Sequence, residues 1–266
     1  MVFVNRRVHA SIIRVVGIIK KRSGNNQKFF EPLKIINKHK NPKGILSVSL
    51  FGDENSQIFK EKYLYTLLEN AKMLDNIFPG WVIRVYLSST FSKNIRNKLI
   101  NYDCELYIMK YDTKEPFLPY LWRFLVASES VPFLVYDADM LITEKTYSVP
   151  SLDTAHEWLK DKNKKFFRRK FFIINDAWVL SAGMWGGKPD NEGSQVIPDI
   201  KERLTKYHYD TFGTDEVFLS KEIWPLFLKE GFYDAKSYTE KMLIIILLIV
   251  GIIIIFYKIM LFFRKK

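Results

Sequence analysis

Two aspartates, Asp137 and Asp139, stand one residue apart at the end of the apolar run "FLVYDADMLIT" (Phe133–Thr143). A D-x-D at the end of a strand brings two carboxylates toward one point. Hard oxygen ligands of this kind suit Mg²⁺ or Mn²⁺, and the metal in turn bridges phosphates. Turns that follow strands are rich in aspartate for conformational reasons alone. The pair therefore takes its meaning from the elements that position it.

Those elements alternate. Pro42 and Gly44 mark the entry to a folded body, and "GILSVSLFG" (Gly44–Gly52) reads as a buried strand of branched and aromatic residues. From Ile58 to Ile77 apolar residues recur at helical spacing (Leu64, Leu67, Leu68, Ala71, Leu74), and Pro79-Gly80 stops the helix. Strands are then expected at Trp81–Ser88, Cys104–Lys110 and Pro132–Ile142, with helices over Phe91–Leu99 and Leu118–Ala127 between them. This order predicts an α/β fold with a Rossmann-like, mostly parallel sheet and flanking helices. Such sheets bind ligands beyond the carboxyl ends of their strands, where Asp137 and Asp139 lie.

Composition narrows the function. The 266 residues carry a net charge of +12, but the excess sits at the ends. Residues 1–43 hold eleven Lys/Arg against Glu31 alone, and residues 242–266 hold four against none, leaving 26 basic and 28 acidic residues between them. That distribution disfavours a nucleic-acid-binding face across the body. One local run, "KDKNKKFFRRK" (Lys160–Lys170), reads either as a solvated loop or as a contact with phosphates or an anionic membrane. The single cysteine, Cys104, lies in an apolar run and reads as a buried structural thiol. The four histidines, His9, His39, His156 and His208, lack the close spacing of a zinc site.

The C-terminal stretch "MLIIILLIVGIIIIFYKIMLFF" (Met242–Phe263) contains one charge, Lys258, and is long enough to cross a bilayer core of about 20 residues. A single-pass, tail-anchored membrane protein with a cytosolic body is the expectation, because only Arg264, Lys265 and Lys266 follow the span. Those same charges favour the opposite orientation under the positive-inside rule, so sidedness stays open. The N-terminal part of the basic segment 1–43 reads as an amphipathic helix on a membrane surface, or as a targeting peptide. The expected organisation is thus a basic segment over 1–43, a catalytic body over 44–236 and a transmembrane helix over 242–263.

The layout resembles the GT-A fold of nucleotide-sugar-dependent glycosyltransferases. Beyond the D-x-D, "ENAKMLDNIFPGWVIRVY" (Glu69–Tyr86), "LWRFL" (Leu121–Leu125), "SAGMWGGKP" (Ser181–Pro189) and "FGTDEVFLSKEIWP" (Phe212–Pro225) resemble viral and microbial glycosyltransferase-like proteins in the expected order. The resemblance implies a Mn²⁺ or Mg²⁺ ion on Asp139, with Asp137 assisting through the metal or the donor ribose. It implies backbone contacts to the donor nucleotide from Leu50, Phe51 and Gly52, although Gly52 could equally serve only to close a turn. Arg123 would reach the pyrophosphate or brace the site as an ion-pair partner. Gly183, Gly186 and Gly187 would let the backbone hug a ligand while Trp185 offers a face to a sugar ring. Asp215 is either a helix cap or the general base, with Glu216 as its rival for the latter role. The implied function is sugar transfer from a nucleotide-sugar donor to a glycan, lipid or protein acceptor.

A haloacid-dehalogenase-type phosphatase also carries an apolar strand followed by D-x-D, with Asp137 then the nucleophile. That motif normally opens its domain, whereas about ninety residues of alternating elements precede this one. A catalytically inactive, membrane-anchored binding protein is the third reading.

Overall fold

A computed structural model describes residues 27–143, 152–169, 180–209, 211–235, 246 and 248–255. The strands predicted around the D-x-D are present and adjacent. β2 (Gly44–Leu50) pairs in parallel with β3 (Trp81–Ser88) on one side and with β5 (Phe133–Tyr136) on the other, while β4 (Glu105–Met109) extends the parallel set beyond β3. All residues of these four strands are buried, which is why their sequences read as mostly apolar runs rather than alternating ones.

The connections carry the predicted helices. A π-helical turn at Phe59–Leu64 runs into α1 (Tyr65–Ile77), and α2 (Lys93–Asn101) starts at Ser92, whose side chain accepts from the Ile95 amide. A short α3 (Pro119–Trp122) continues as the 3₁₀ turn Arg123–Ser128, and α4 (Ala155–Lys160) and α5 (Ile200–Thr205) follow later in the chain. Chain order along the sheet reads β4-β3-β2-β5, so the path steps outward from β2 and then jumps back to its other side. That reversal makes the carboxyl ends of β2 and β5 the topological switch point, where open α/β sheets hold their ligands.

The complete sheet among the described residues is mixed, with order β1-β4-β3-β2-β5-β7-β6-β8: six strands run in one direction, as a mostly parallel sheet requires, and β1 and β7 run against them. β1 (Pro32–Ile36) runs antiparallel to β4 on one edge. β7 (Met184–Gly187) is antiparallel to both β5 and β6 (Phe166–Arg169), and β8 (Phe232–Ala235) closes the other edge in parallel with β6. Residues before the expected entry at Gly44 thus belong to the sheet, and Phe29 and Phe30 are in the core, where the Trp122 indole donates to the Phe29 carbonyl at 3.1 Å.

The run Lys160–Lys170 is also resolved differently from either reading. Its centre is the buried strand β6, and Arg168 forms an ion pair with Asp234 of β8 at 2.7 Å. The fourth predicted strand ends early, at Tyr136. Met140 donates to the Asp137 carbonyl, so both aspartates sit in the turn that follows.

The sheet separates two cores. On one face Ile45, Tyr86 and Phe133 pack with Trp122, Phe124 and Phe227; on the other Val48, Val85 and Leu106 pack with Leu67, Leu74 and Leu99. Segment 1–26 lies outside the described residues, as does most of 242–263. No helix among the described residues is long and apolar enough to cross a membrane. Residues 248–255 are helical, and their isoleucines, Leu248 and Val250 are exposed.

One buried ion pair joins the central strands. Arg84 of β3 lies in register with Glu105 of β4, bonds it at 2.7 Å, and also pairs with Glu129. Glu105 is fully buried and accepts a further hydrogen bond from the His39 amide. Removing one partner of such a pair strands the other charge in the core. Glu105→Ala is expected to cost about 3–5 kcal/mol, read as a lowered midpoint in urea denaturation.

Candidate functional site

The D-x-D turn is held in place from three directions. The side chain of Asn70, fully buried in α1, donates to the Met140 carbonyl at 2.8 Å and accepts from the Ile142 amide at 2.9 Å. The Tyr136 hydroxyl donates to the Leu141 carbonyl at 2.9 Å. From the third side Gly183 packs so closely that a Cβ there would collide with the Asp137 carboxylate. The position of the two carboxylates is thus set by an amide, a phenol and the absence of a side chain.

Arg123 joins the turn to the rest of the site. Two serines on one face of β2 clasp its backbone: Ser47 donates to its carbonyl at 2.7 Å, and Ser49 accepts from its amide at 3.0 Å. The guanidinium then reaches the Tyr136 carbonyl, forms an ion pair with Asp137, and contacts Asp215 of α6 (Thr214–Phe218) at 3.5 Å. Burial works against the charge of Arg123. The two carboxylates outweigh it and hold its pKa above the usual guanidinium value. Arg123 is therefore the brace that the sequence allowed for, while still lining the cavities around the turn.

Two cavities meet over the D-x-D. The smaller, about 170 Å³, runs to the end of β2 and is lined by Leu50, Phe51 and Gly52 together with Asp137 and Asp139. Gly52 has φ 114°, a conformation that favours glycine, and nothing lies within 4 Å of where a Cβ would point. The larger, about 250 Å³, runs the other way to Gly183 and to Phe212–Glu216. Tyr63, Tyr120, Arg123, Asp137 and Asp139 line both. A third cavity of about 480 Å³ lies at the opposite end of the strands, beside Gly80 and Trp81, far from these carboxylates in the topology.

Of the residues singled out from sequence, Leu50, Phe51, Gly52, Arg123, Asp137, Asp139, Asp215 and Glu216 converge here. Trp185, Gly186 and Gly187 do not, which corrects their expected role. They form β7, and the Trp185 ring is fully buried against Phe124 and Phe133. Side chains at 186 and 187 would meet Phe133 and Leu134 of β5, so these glycines serve strand packing. Of the three glycines in that motif only Gly183 is at the site.

Asp215 caps nothing. The N-cap position of α6 is Gly213 (φ 82°), and Asp215 is buried, accepting from the Glu216 amide while facing Arg123. Burial pushes the Glu216 carboxyl up to about 9, aided by its hydrogen bond to Asp215 and that neighbour's charge. Glu216 is therefore protonated at neutral pH.

The donor set for a divalent ion is Asp137 and Asp139. No group of three or more His, Cys, Asp or Glu that could hold a metal occurs among the described residues. Two carboxylates nevertheless fit Mg²⁺ or Mn²⁺ where substrate phosphates and water complete the shell. Asp139 is partnered by Lys62 at 2.7 Å, and that bond raises the lysine's pKa. Lys62 is about half exposed, so its flexible chain can yield the carboxylate. Lys62 and Tyr63 come from the π-helical turn, a feature often found at functional sites. Neither was visible as a site residue in the sequence, whereas Asn70, an amide on the apolar stripe of α1, was a readable signal.

No protein-family model matches the chain, and no solved structure matches it.

The raised Glu216 carboxyl makes a pH prediction. The native state keeps a proton that the unfolded chain releases near the ordinary carboxyl value, so this group's contribution is complete below that value and is lost as pH rises toward about 9. Thermal unfolding should show the wild type losing ground to Glu216→Gln, an always-neutral isostere, steadily between about pH 5 and pH 9. A difference in Tm that does not change with pH would contradict the assignment.

Proposed function

We propose that the chain is a membrane-anchored, GT-A-type glycosyltransferase that moves a sugar from a nucleotide-sugar donor to the hydroxyl of a glycan, lipid or protein acceptor. The observation that carries this reading is the D-x-D turn at the switch point, beside Leu50–Gly52 at the end of β2. The smaller cavity, too small at about 170 Å³ to enclose a whole nucleotide, is the place for its base and ribose side, with the diphosphate at the D-x-D. Asp137 and Asp139 would hold Mn²⁺ or Mg²⁺ there, supplying charge that stabilises the leaving nucleoside diphosphate. The exposed apolar helix at 248–255, within the stretch 242–263, supports an anchor.

The protein's own groups divide the remaining work. Arg123 fixes Asp137 and Asp215 at one spacing, so donor and acceptor sides share a single rigid reference. Asp215, which lines the larger cavity, would take the acceptor proton. Glu216, holding its own proton, cannot act as base at neutral pH and instead donates a hydrogen bond.

The order of elements weighs against a phosphatase. The test is turnover by the full chain in detergent with a panel of nucleotide sugars and Mn²⁺. Release of nucleoside diphosphate that requires metal and falls at least about a hundredfold in Asp139→Ala supports the proposal. Release of phosphate from phosphomonoesters in its place would sink it.

A further inference from the structure

The larger cavity has a chemistry of its own. One wall is aromatic: Phe117 stacks near Tyr120 (6.4 Å between ring centres, 24° between planes), and Tyr120 meets Phe212 edge-on at 6.3 Å. Phe212 is 76% exposed at the mouth, an apolar ring left to solvent beside a cavity it helps to line. The rest of the lining is largely polar, with Asp215, Glu216, Ser181 and the Asp137 carboxylate among it.

Charge restricts what can enter. Among the described residues that line this cavity Arg123 is the one cation, and it already faces Asp137 and Asp215, while Asp139 is paired with Lys62. A phosphate or carboxylate arriving here would meet carboxylates with little compensation. A neutral molecule rich in hydroxyls would not. Carboxylates accept from hydroxyls, and an aromatic ring packs against an apolar face of C–H groups. A pyranose has both surfaces, hydroxyls around its edge and C–H groups on its faces. The volume of about 250 Å³ falls below the roughly 300–1,000 Å³ of pockets for drug-sized ligands, which suits a single ring.

We propose that this cavity binds one neutral sugar ring of the acceptor, stacked on the Tyr120–Phe212 wall with its hydroxyls held by Asp215 and Glu216. The acceptor is then a glycan rather than a lipid phosphate or a bare protein hydroxyl. This inference rests on the glycosyltransferase reading for the direction of transfer, but the binding can be measured without turnover.

The experiment is saturation-transfer NMR on the full chain in detergent with a panel of neutral methyl glycosides and their phosphorylated counterparts. Nucleoside diphosphate binding with Mn²⁺ is followed on the same samples. The neutral glycosides should bind, Phe212→Ala should weaken them about tenfold, and Phe212→Trp should restore them. Nucleoside diphosphate binding should stay unchanged in both variants, since Phe212 does not line the smaller cavity. No glycoside binding by a protein that holds nucleoside diphosphate, binding that survives Phe212→Ala, or a preference for phosphorylated sugars would overturn the inference. Glycoside binding lost in Phe212→Ala without any nucleoside diphosphate binding would count against the donor site and still support this one.

Discussion

A buried guanidinium organises the site. Taking Arg123 out of water is costly, and the cost is offset only because Asp137 and Asp215 face it together. Those carboxylates belong to segments almost eighty residues apart in the chain, the turn after β5 and the start of α6. The guanidinium can satisfy both only if β2, β5 and α6 are assembled in one arrangement. Ser47 and Ser49 complete the constraint by fixing where the arginine's own backbone sits against β2. Removing the charge would leave two carboxylates close together with nothing between them.

This arrangement also explains how a metal site can share space with ion pairs. Asp137 is committed to a buried arginine whose geometry is fixed by packing, whereas Asp139 is paired with an exposed lysine on a flexible stem. A surface pair of that kind contributes little, typically below about 1 kcal/mol, and is readily exchanged for a divalent ion. Asp139 would thus be the available ligand and Asp137 the oriented one. Asn70 and Gly183 hold the turn in that division of labour, one by hydrogen bonds and the other by leaving room.

The central strands were legible because strands buried on both faces are mostly apolar, and the order of strand and helix then implied parallel pairing. The edge was not. β6 is written "FFRR" inside a charge run, and Arg168 is accommodated in a strand by Asp234, sixty-six residues later, and by the Trp224 and Phe232 rings it lies over. β7 is written "MWGG", a pattern that suggests a ligand loop. Its glycines are there because Phe133 and Leu134 of the neighbouring strand occupy the space their side chains would need. In both cases the deciding partner is distant in sequence, which local pattern cannot supply. The site itself was legible through its carboxylates and Arg123. Lys62, Tyr63, Tyr120 and Phe212 were hidden because exposed lysines and scattered aromatics look alike wherever they fall.

The account stands or falls on a divalent ion and a diphosphate meeting at the D-x-D. The most direct measurement is a crystal grown with Mn²⁺ and a nucleoside diphosphate, examined at the manganese absorption edge. The account predicts one anomalous peak bound to Asp139 and to the diphosphate, the base beside Leu50–Gly52, and Lys62 displaced from the carboxylate. A structure with nucleotide elsewhere, no manganese at the turn and Lys62 still on Asp139 would contradict it.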